Sequence, residues 1–389
     1  MNTAQLPSRL LQLDVLRGIA ILGILLLNIP SMGIIIAGYV DFSPALVSDQ
    51  ILQTINAFLF DGRFRSIFSL LFGIGLYIQY QKTLGFEGGD HLRIKSRLKW
   101  LLVFGILHCW FIWAGDILII YALSGMFILK YIHLSSTDLL NKGFQFTVVG
   151  LIISLLEALL GIYFDDVGHL TRSSAAFLTY YQTIELGYVN YFIEQLFYTV
   201  ANIVFFPIYM FYFSGVMLLG IGLYKSGVFS EGLTRRQLIQ LTVLTIFVSA
   251  IDAYCRLVFP LEGFYLMMTF SSLSGLLMAL LIVHWIVRCV NKCHALVQWL
   301  VQLLAQTGRV AFSLYILQSL VMVSLFRFIQ PELLLTVSRV DYLLVAIIYT
   351  VFQLLLVHSY FKFFTIGPLE TIWRKVTKKP RVRVDSLIQ

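Results

Sequence analysis

Charged residues are scarce in this chain. Of its 389 residues, only 12% are charged and 59% are hydrophobic, and the mean hydropathy is +0.86. A soluble domain of this size needs more charge on its surface, so the composition excludes a soluble globular protein. The sequence predicts an all-α, polytopic integral membrane protein.

Cysteine is scarce too, and several catalytic motifs are missing. The four cysteines lie mostly in or beside apolar segments and lack the paired C-x-x-C spacing of a zinc ribbon. They are Cys109, Cys255, Cys289 and Cys293. We therefore expect neither a metal site nor a disulfide framework. No G-x-S-x-G nucleophile elbow occurs, and Gly73 and Gly75 favour close helix packing over a phosphate loop.

Long apolar runs dominate what remains, and they predict about ten transmembrane helices across a hydrocarbon core of roughly 30 Å. They fall near residues 11–37, 63–81, 98–114, 117–134, 144–164, 196–224, 238–259, 264–288, 308–328 and 341–364. The division at residues 114–116 is either a tight turn or a kink. We expect one transmembrane domain over residues 1–389. It has an N-terminal half (1–164), an outer loop at about 165–195 and a C-terminal half (196–374).

The formal net charge of +8 raises the question of nucleic acid binding. Lys and Arg lie in short clusters between the apolar runs, and most share the side of the amino terminus. By the positive-inside rule, this pattern predicts that both termini face the cytoplasm. We expect membrane lipids as partners and no nucleic acid.

The first apolar run, LDVLRGIAILGILLLNI at residues 13–29, contains three polar residues. Asp14 and Arg17 are three residues apart on a helix and can pair, which lowers the cost of a lone charge, at least ~2.5 kcal/mol in a membrane. The pair either sets the depth and packing of the first span or faces a ligand. Asn28 lies about 16 Å beyond Arg17 along a helix, in the outer half.

His108 lies deep in the third apolar run. A neutral imidazole there can accept a proton from a hydroxyl or amine as a general base, or it can simply bond a neighbouring helix. Asp116 follows at the outer turn, and Asp61, Arg63 and Arg65 enter the membrane from the same side. These groups are expected near one another in the outer half.

Other polar residues at membrane depth favour structural roles. Asp252 and Arg256 are four residues apart and are predicted to pair. Glu157, His284 and His358 stand singly in apolar surroundings. We expect all five to stabilise helix packing.

Five blocks in one order, spread over most of the chain, resemble the bacterial YeiB family of inner-membrane proteins. They are LDVLRGIAILGILLLN (13–28), GRFRSIFSLLFGIGL (62–76), RLKWLLVFGILHCWFIWAGDILIIYALSG (97–125), GRVAFSLYILQSL (308–320) and GPLETIWR (367–374). The resemblance implies a multi-pass protein of the bacterial inner membrane. That family is similar, more distantly, to membrane acyltransferases that include heparan-alpha-glucosaminide N-acetyltransferase. The similarity rests chiefly on the L-D-x-x-R-G opening, here Leu13, Asp14, Arg17 and Gly18.

The distant resemblance implies transfer of an acyl group, typically acetyl from cytosolic acetyl-CoA or another acyl-CoA, to a sugar or similar small-molecule acceptor across the membrane. The acetyltransferases place a catalytic histidine just before the second span. Residues 53–66 here, QTINAFLFDGRFRS, contain none. Either His108 or Asp61 takes over proton abstraction, or this branch does something else.

The leading hypothesis is therefore a membrane acyltransferase with His108 as the base and Asp116 or Asp61 orienting it. The remaining candidates bind substrate: Asp14 and Arg17 at the donor entrance, Asn28 in the acceptor half, and Arg63 or Arg65 against developing negative charge. A transporter or lipid flippase is the second hypothesis, although the internal repeats typical of transporters are missing. A non-catalytic envelope scaffold is the third. The sequence does not determine the donor, the acceptor or the oligomeric state.

Overall fold

The protein is a bundle of α-helices in a computed structural model that describes residues 8–34, 38–82, 91–165, 170–291 and 295–377. The predicted domain of residues 1–389 therefore extends beyond the described residues at both ends. The helices are α1 (Ser8–Gly33), α2 (Val47–Leu59), α3 (Arg63–Gln81), α4 (His91–Phe111), α5 (Leu118–Ile128), α6 (Ser136–Phe164), α7 (Ala175–Glu185), α8 (Gly187–Val204), α9 (Phe206–Lys225), α10 (Val228–Glu231), α11 (Arg235–Val258), α12 (Pro260–Asn291), α13 (Ala295–Arg309), α14 (Ala311–Val323), α15 (Leu333–Thr336), α16 (Arg339–Tyr360) and α17 (Pro368–Val376). A 3₁₀ turn extends α5, and a π-helical segment, Ser324–Ile329, extends α14.

The chain is a multi-pass membrane protein. Seven helices within the described residues are long and apolar enough to cross a membrane. They are Leu11–Gly33, Ser136–Phe164, Phe206–Lys225, Arg235–Val258, Pro260–Val290, Ala311–Ile329 and Arg339–Tyr360. The helices α3 and α4 are also long but more polar, and Leu118–Tyr131 is apolar but shorter. The all-α membrane fold predicted from the sequence is confirmed, whereas the predicted total of ten spans is not.

The structure decides one helix boundary that the sequence left open and changes another. The division at residues 114–116 is a turn, because α4 ends at Phe111 and α5 begins at Leu118. The predicted span 196–224 is two helices, α8 and α9, which meet at Phe205. Pro207 lies in the first turn of α9, where its missing N–H costs least, and its ring prevents α8 from continuing unbroken.

The predicted outer loop at about 165–195 is largely helical. It contains α7 and the start of α8, and residues 166–169 lie outside the described residues. Phe177 and Tyr191 are buried there. The Arg327 guanidinium bonds Glu194 at 2.6 Å and ties α8 to the π-helical segment after α14. This segment is packed onto the bundle.

Close helix packing is found at Gly73, one of the two glycines for which the sequence predicted it. A Cβ atom on Gly73 of α3 would overlap the backbone of Met217 on α9, and one on Gly220 of α9 would overlap Leu70. The two backbones therefore approach one another directly, as small residues allow in membrane helices. Gly75 lies beside the Arg17 guanidinium, with 3.8 Å between an added Cβ and Nη2.

The direction of α1 defines two ends of the bundle. We call the end where α1 finishes the cavity end, and the end where it begins the opposite end. The helix α17 lies at the opposite end, where its Glu370 carboxylate accepts hydrogen bonds from the backbone N–H groups of Phe312 (2.9 Å) and Ser313 (3.1 Å) at the start of α14. Both ends of the described chain thus share one end of the bundle, in agreement with the prediction that the termini lie on the same side.

Candidate functional site

A cavity of about 720 Å³, lined by both polar and apolar residues, opens at the cavity end. Its walls come from the last turns of α1, segment 38–45, α2, the start of α3, the turn between α4 and α5, and the turn between α11 and α12. Four of the residues singled out in the sequence line it: Asn28, Asp61, Arg65 and Asp116. The structure therefore brings together half of the predicted site residues, from α1, the α2–α3 turn and the α4–α5 turn.

Asp116 is the carboxylate most firmly held in the cavity wall. Its Oδ1 lies 2.9 Å from Nδ1 of His108 and accepts a longer hydrogen bond, 3.4 Å, from the Tyr315 hydroxyl. Its Oδ2 accepts the backbone N–H of Ile119 at 2.9 Å. That N–H belongs to the first turn of α5, where a carboxylate interacts favourably with the helix dipole.

His108 lies behind this carboxylate. Its side chain is buried and does not line the cavity. A carboxylate that accepts the Nδ1–H selects the tautomer with a bare Nε2, and Nε2 has no hydrogen-bond partner among the described residues. The predicted proximity of His108 and Asp116 is found. Asp116 and Tyr315 line the cavity, although the Asp116 side chain is itself buried.

Asp61 belongs to a second charged cluster at the cavity wall. The Arg256 guanidinium donates to both oxygens of Asp252, at 2.8 and 2.6 Å, and also to Asp61. The predicted pair of Asp252 and Arg256 is confirmed. Asp252 and Arg256 are buried, so two carboxylates share one cation in a poorly hydrated place. Each charge has a hydrogen-bonded partner, which lowers the cost of burying it.

Arg63 does not line the cavity. Its fully buried guanidinium donates to the carbonyl oxygens of Ala57 (2.7 Å) and Phe58 (2.9 Å) and to the hydroxyls of Ser249 (2.9 Å) and Ser274 (3.2 Å). The last carbonyls of a helix have no partner within the helix and favour a cation. Arg63 thus ends α2 and ties it to α11 and α12, so we assign it a structural role.

Gly62 makes the tight turn before Arg63 possible. Its φ is +76°, and a Cβ atom there would overlap the carbonyl oxygen of Ser271 on α12. Only glycine adopts this backbone conformation readily and also fits against the neighbouring backbone. The turn places Asp61 and Arg65 at the cavity while Arg63 points into the protein.

Arg65 lines the cavity, and its surroundings differ from those of Arg63 and Arg256. Its Nη2 donates to the hydroxyl of Ser272 at 2.9 Å, and its Nη1 lies 3.7 Å from the Met268 sulfur. Its Nε is buried without a partner among the described residues. Within the described part of the chain, no carboxylate pairs with Arg65.

The rest of the cavity is rich in neutral hydrogen-bonding groups. They are amides and hydroxyls, and the main ones are Asn28, Gln50, Gln53, Asn56, Asn202, Ser31, Tyr209, Ser271 and Tyr315. Such groups donate and accept in the directions that hydroxylated ligands need. Aromatic and aliphatic side chains, among them Phe42, Phe213 and Phe264, complete the lining.

Segment 38–45 is held over the cavity by two arginines. The guanidinium carbons of Arg339 and Arg172 lie 4.1 and 5.2 Å from the ring centroid of Tyr39, and the Tyr39 hydroxyl donates to Asp49. Burial, reinforced by the Asp49 carboxylate, raises the pKa of Tyr39 well above its ordinary value, so the phenol stays a neutral donor. Arg339 also bonds Asp41, with Nη2 and Oδ1 3.6 Å apart.

Asp14 and Arg17 lie at the opposite end, away from the cavity. Arg17 bonds Asp14 at 2.8 Å, which confirms the predicted pair, and Arg309 of α13 approaches the other carboxylate oxygen at 3.5 Å. The side chains of Arg17 and Arg309 are 31% and 36% exposed. Asn28 is about 21 Å further along α1 than Asp14, so the two predicted substrate regions are separate.

Metal ligands do not converge in the described residues. No group of three His, Cys, Asp or Glu side chains is arranged to hold a metal ion there. Cys109, Cys255 and Cys289 are free thiols, and Cys293 lies outside the described residues.

Sequence reasoning missed several cavity residues. Tyr315 lies in the block GRVAFSLYILQSL, where a hydroxyl at membrane depth was a signal of a polar partner. Arg339 and Asp49 gave no such signal, because their partners are far away in sequence. The backbone N–H of Arg339 donates to the Asp49 carboxylate across 290 positions. Asn202 was hidden in a long apolar run, and it donates to the Ala114 carbonyl at 2.7 Å.

Comparison with known proteins finds relatives that are similar in sequence. Residues 223–380 match the family model described as "Protein of unknown function (DUF418)". The chain is 33% identical over 153 residues to the uncharacterised protein YeiB of Escherichia coli K12, a match that covers 38% of each chain. It is 38% identical over 134 residues to an uncharacterised 39.9 kDa protein of Bacillus acidopullulyticus, covering 34% of this chain and 36% of the relative.

A third relative is similar along nearly its whole length. The uncharacterised protein YxaH of Bacillus subtilis is 25% identical over 388 residues, 94% of this chain and 93% of the relative. These matches support the YeiB-type family that the sequence resembles. The chain's matches span well under half of the length of the first two relatives. No solved structure matches the chain.

The family match and the cavity overlap only in part. The matched segment contains Asp252, Arg256 and Tyr315, whereas Asp61 and Asp116 come from the other half of the chain. The cavity is therefore assembled from both parts of the chain. All three relatives are named as uncharacterised proteins.

Proposed function

We propose that this protein is a membrane acyltransferase that moves an acyl group from a CoA thioester to a hydroxyl or amino group bound in the cavity. The observation that carries the proposal is Asp116 in the cavity wall, whose buried carboxylate is held by His108 and Tyr315. A held carboxylate next to many neutral hydrogen-bonding groups suits a polar acceptor such as a sugar.

In the proposed reaction, the acceptor donates its proton to Asp116. The acceptor oxygen or nitrogen forms a bond to the acyl carbon, and the bond from that carbon to the CoA sulfur breaks. The proton then passes from Asp116 to the leaving thiolate. His108 keeps the carboxylate oriented through Nδ1, which makes it a positioning residue rather than the base that the sequence suggested.

The donor is proposed to bind at the opposite end. Asp14, Arg17 and Arg309 form a partly exposed charged cluster there, and CoA carries phosphates that attract arginine. The long pantetheine arm then has to reach towards the cavity. We propose that the opposite end faces the cytoplasm and that the protein lies in the bacterial inner membrane, because basic residues cluster at that end.

Transfer is tested with the purified full chain in lipid nanodiscs, radiolabelled acetyl-CoA, and glucosamine or a short glucosamine oligosaccharide as acceptor. We expect Asp116→Asn to lower the rate by about 10²–10⁴-fold, the usual contribution of a general base. The control is Asp138→Asn, because Asp138 is exposed near the start of α6 at the opposite end.

Donor binding is tested separately through thermal stability. A ligand that binds only the native protein raises its apparent stability, so acetyl-CoA or a longer acyl-CoA is expected to raise the melting temperature, and Arg17→Gln to abolish the rise. If no acyl-CoA stabilises the wild type, the acyltransferase proposal is wrong.

A transporter of a small polar solute or lipid is the second candidate, favoured by the buried Asp61–Arg256–Asp252 cluster beside the cavity. Charged groups at membrane depth commonly line transport paths. Uptake of an unmodified solute into proteoliposomes that is lost in Asp61→Asn but kept in Asp116→Asn would support transport over acyl transfer.

A further inference from the structure

Charge is unevenly compensated in the cavity wall. Among the described lining residues, Asp41 is bonded by Arg339, Asp61 by Arg256 and Asp116 by His108. Arg65 contributes a cation with no carboxylate partner in the described chain and bonds only neutral groups of Ser272 and Met268. A guanidinium at membrane depth is costly unless an anion or strong acceptors satisfy it.

The location of Arg65 strengthens this imbalance. It is the third residue of α3, and the amino-terminal end of a helix carries positive partial charge. A cation at this position is therefore less favourable than one at the other end of the helix. Both effects are relieved by an anion in the cavity beside Arg65.

The cavity wall next to Arg65 is apolar and open to the surroundings. Leu257, Phe264 and Met268 line the cavity and are also 42%, 43% and 41% exposed. They come from the end of α11 and the start of α12, two membrane-spanning helices. We call these three side chains the apolar rim. Met268 contacts Arg65, so the uncompensated charge lies directly inside the rim.

The helix α2 has the residue pattern of a helix that lies at a membrane interface. Its exposed large side chains recur every four residues, at Val47, Ile51, Ile55 and Leu59, and so form one stripe along the helix. Gln50, Gln53 and Asn56 of the same helix line the cavity. A helix with one exposed apolar stripe and one polar face is typical of a membrane interface.

Glu157 is a further charged group near the cavity wall, and it is a candidate partner for Arg65. It is exposed on α6 and accepts a hydrogen bond of 3.0 Å from the Tyr209 hydroxyl, which lines the cavity. It does not pair with Arg65 within the described chain. The positive charge of Arg65 is therefore left for a ligand.

We propose that the cavity takes a membrane lipid whose phosphate head group carries a net negative charge, and that this lipid enters sideways over the apolar rim. The phosphate binds Arg65, the polar remainder of the head group lies among the amides and hydroxyls, and the hydrocarbon tails stay outside against Leu257, Phe264 and Met268. This inference deepens the proposed function by naming an anionic lipid or lipid-linked acceptor, and it rests on that function only for the chemistry that follows binding.

The test uses phosphatidic acid with a photoactivatable diazirine near the start of one acyl chain, reconstituted at low abundance with the full chain in phosphatidylcholine nanodiscs. After illumination, peptides are mapped by mass spectrometry. We expect labelling at residues 257–268. We expect Arg65→Gln to reduce it by about tenfold or more, as the loss of a charge-assisted bond to phosphate predicts.

Three controls separate loss of the Arg65 charge from misfolding and from unselective lipid binding. Arg235→Gln removes an exposed arginine at the opposite end and is expected to leave labelling unchanged. Arg65→Lys keeps the charge and is expected to retain most of it, which separates loss of charge from misfolding. A phosphatidylcholine probe with the same diazirine is expected to label residues 257–268 weakly.

Other outcomes overturn the proposal. Equal labelling by both lipid probes would show that the site does not prefer a net negative head group to the zwitterionic one of phosphatidylcholine, and labelling that Arg65→Gln leaves intact would remove Arg65 from the site. Strong competition by soluble glycerol 3-phosphate would point to a free phosphate compound instead of a lipid. Since no acyl-CoA is present, failure of acyl transfer leaves these results unaffected, and failure of lipid labelling leaves the test of Asp116 unaffected.

Discussion

The two ends of the helix bundle use the same residue types in different ways. At the opposite end, Asp14, Arg17 and Arg309 form ion pairs that remain about a third exposed on the arginine side. At the cavity end, Arg256 binds two carboxylates with only 6% of its side chain exposed. Exposed pairs are screened by water and are worth little, whereas a buried charge depends on its partner. The difference in burial predicts that charges at the cavity end are essential for folding and those at the opposite end are not.

The sharpest comparison is between two arginines. We expect Arg256→Gln to destabilise the protein by about 3–5 kcal/mol, because it leaves the Asp61 and Asp252 carboxylates buried without their cation. Arg309→Gln, the matched change at the opposite end, is expected to cost at most about 1 kcal/mol. Thermal unfolding in nanodiscs measures the stability loss of both variants, and equal losses would contradict the proposed difference between the two ends.

The second comparison concerns backbone geometry at the two ends. Gly62→Ala is expected to cost about 2–4 kcal/mol, because it adds overpacking against α12 to the strain of a positive φ. Gly227, at the opposite end, has φ +89° but no atom closer than 3.9 Å to an added Cβ. Gly227→Ala therefore carries the backbone strain alone, about 1 kcal/mol. Apparent melting temperatures of the two variants should differ accordingly, and a similar drop in both would contradict the close approach at Gly62.

The smallest expected effect is at Tyr315. Its hydroxyl reaches Asp116 across 3.4 Å, a long hydrogen bond, so Tyr315→Phe is expected to cost about 0.5–1 kcal/mol of stability. Tyr131→Phe at the opposite end is the control, since Tyr131 packs against Phe127 and Phe146 through its ring. If the Asp116 site is catalytic, Tyr315→Phe also lowers the transfer rate while Tyr131→Phe does not.

Pairs close in the chain were predictable, because a helix places residues three or four apart side by side. That rule gave both the Asp14–Arg17 and the Asp252–Arg256 pairs. His108 and Asp116 were also expected near one another, since a short turn separates the two segments. The prediction could not say which of the two lines the cavity, because that depends on the packing of α4 against α5 and α8.

Arg63 and Arg65 show where sequence reasoning stops. The two arginines are separated by one residue and have the same chemistry, yet Arg63 is fully buried in carbonyl and serine contacts and Arg65 lines the cavity. Their difference comes from Ser249, Ser274 and Ser272, which lie some 180 to 210 positions away. Local periodicity carries no information about such partners.

The sequence by itself determined the membrane environment, the helical class and the local ion pairs. These depend on composition and on spacings of a few residues, which helix geometry converts directly into contacts. Only the tertiary structure decided that Asn28, Asp61, Arg65 and Asp116 share one cavity, that Asp14 and Arg17 lie apart from it, and that Arg256 links Asp61 to Asp252. The physical reason is that these contacts join helices distant in the chain, and their formation depends on how whole helix faces pack.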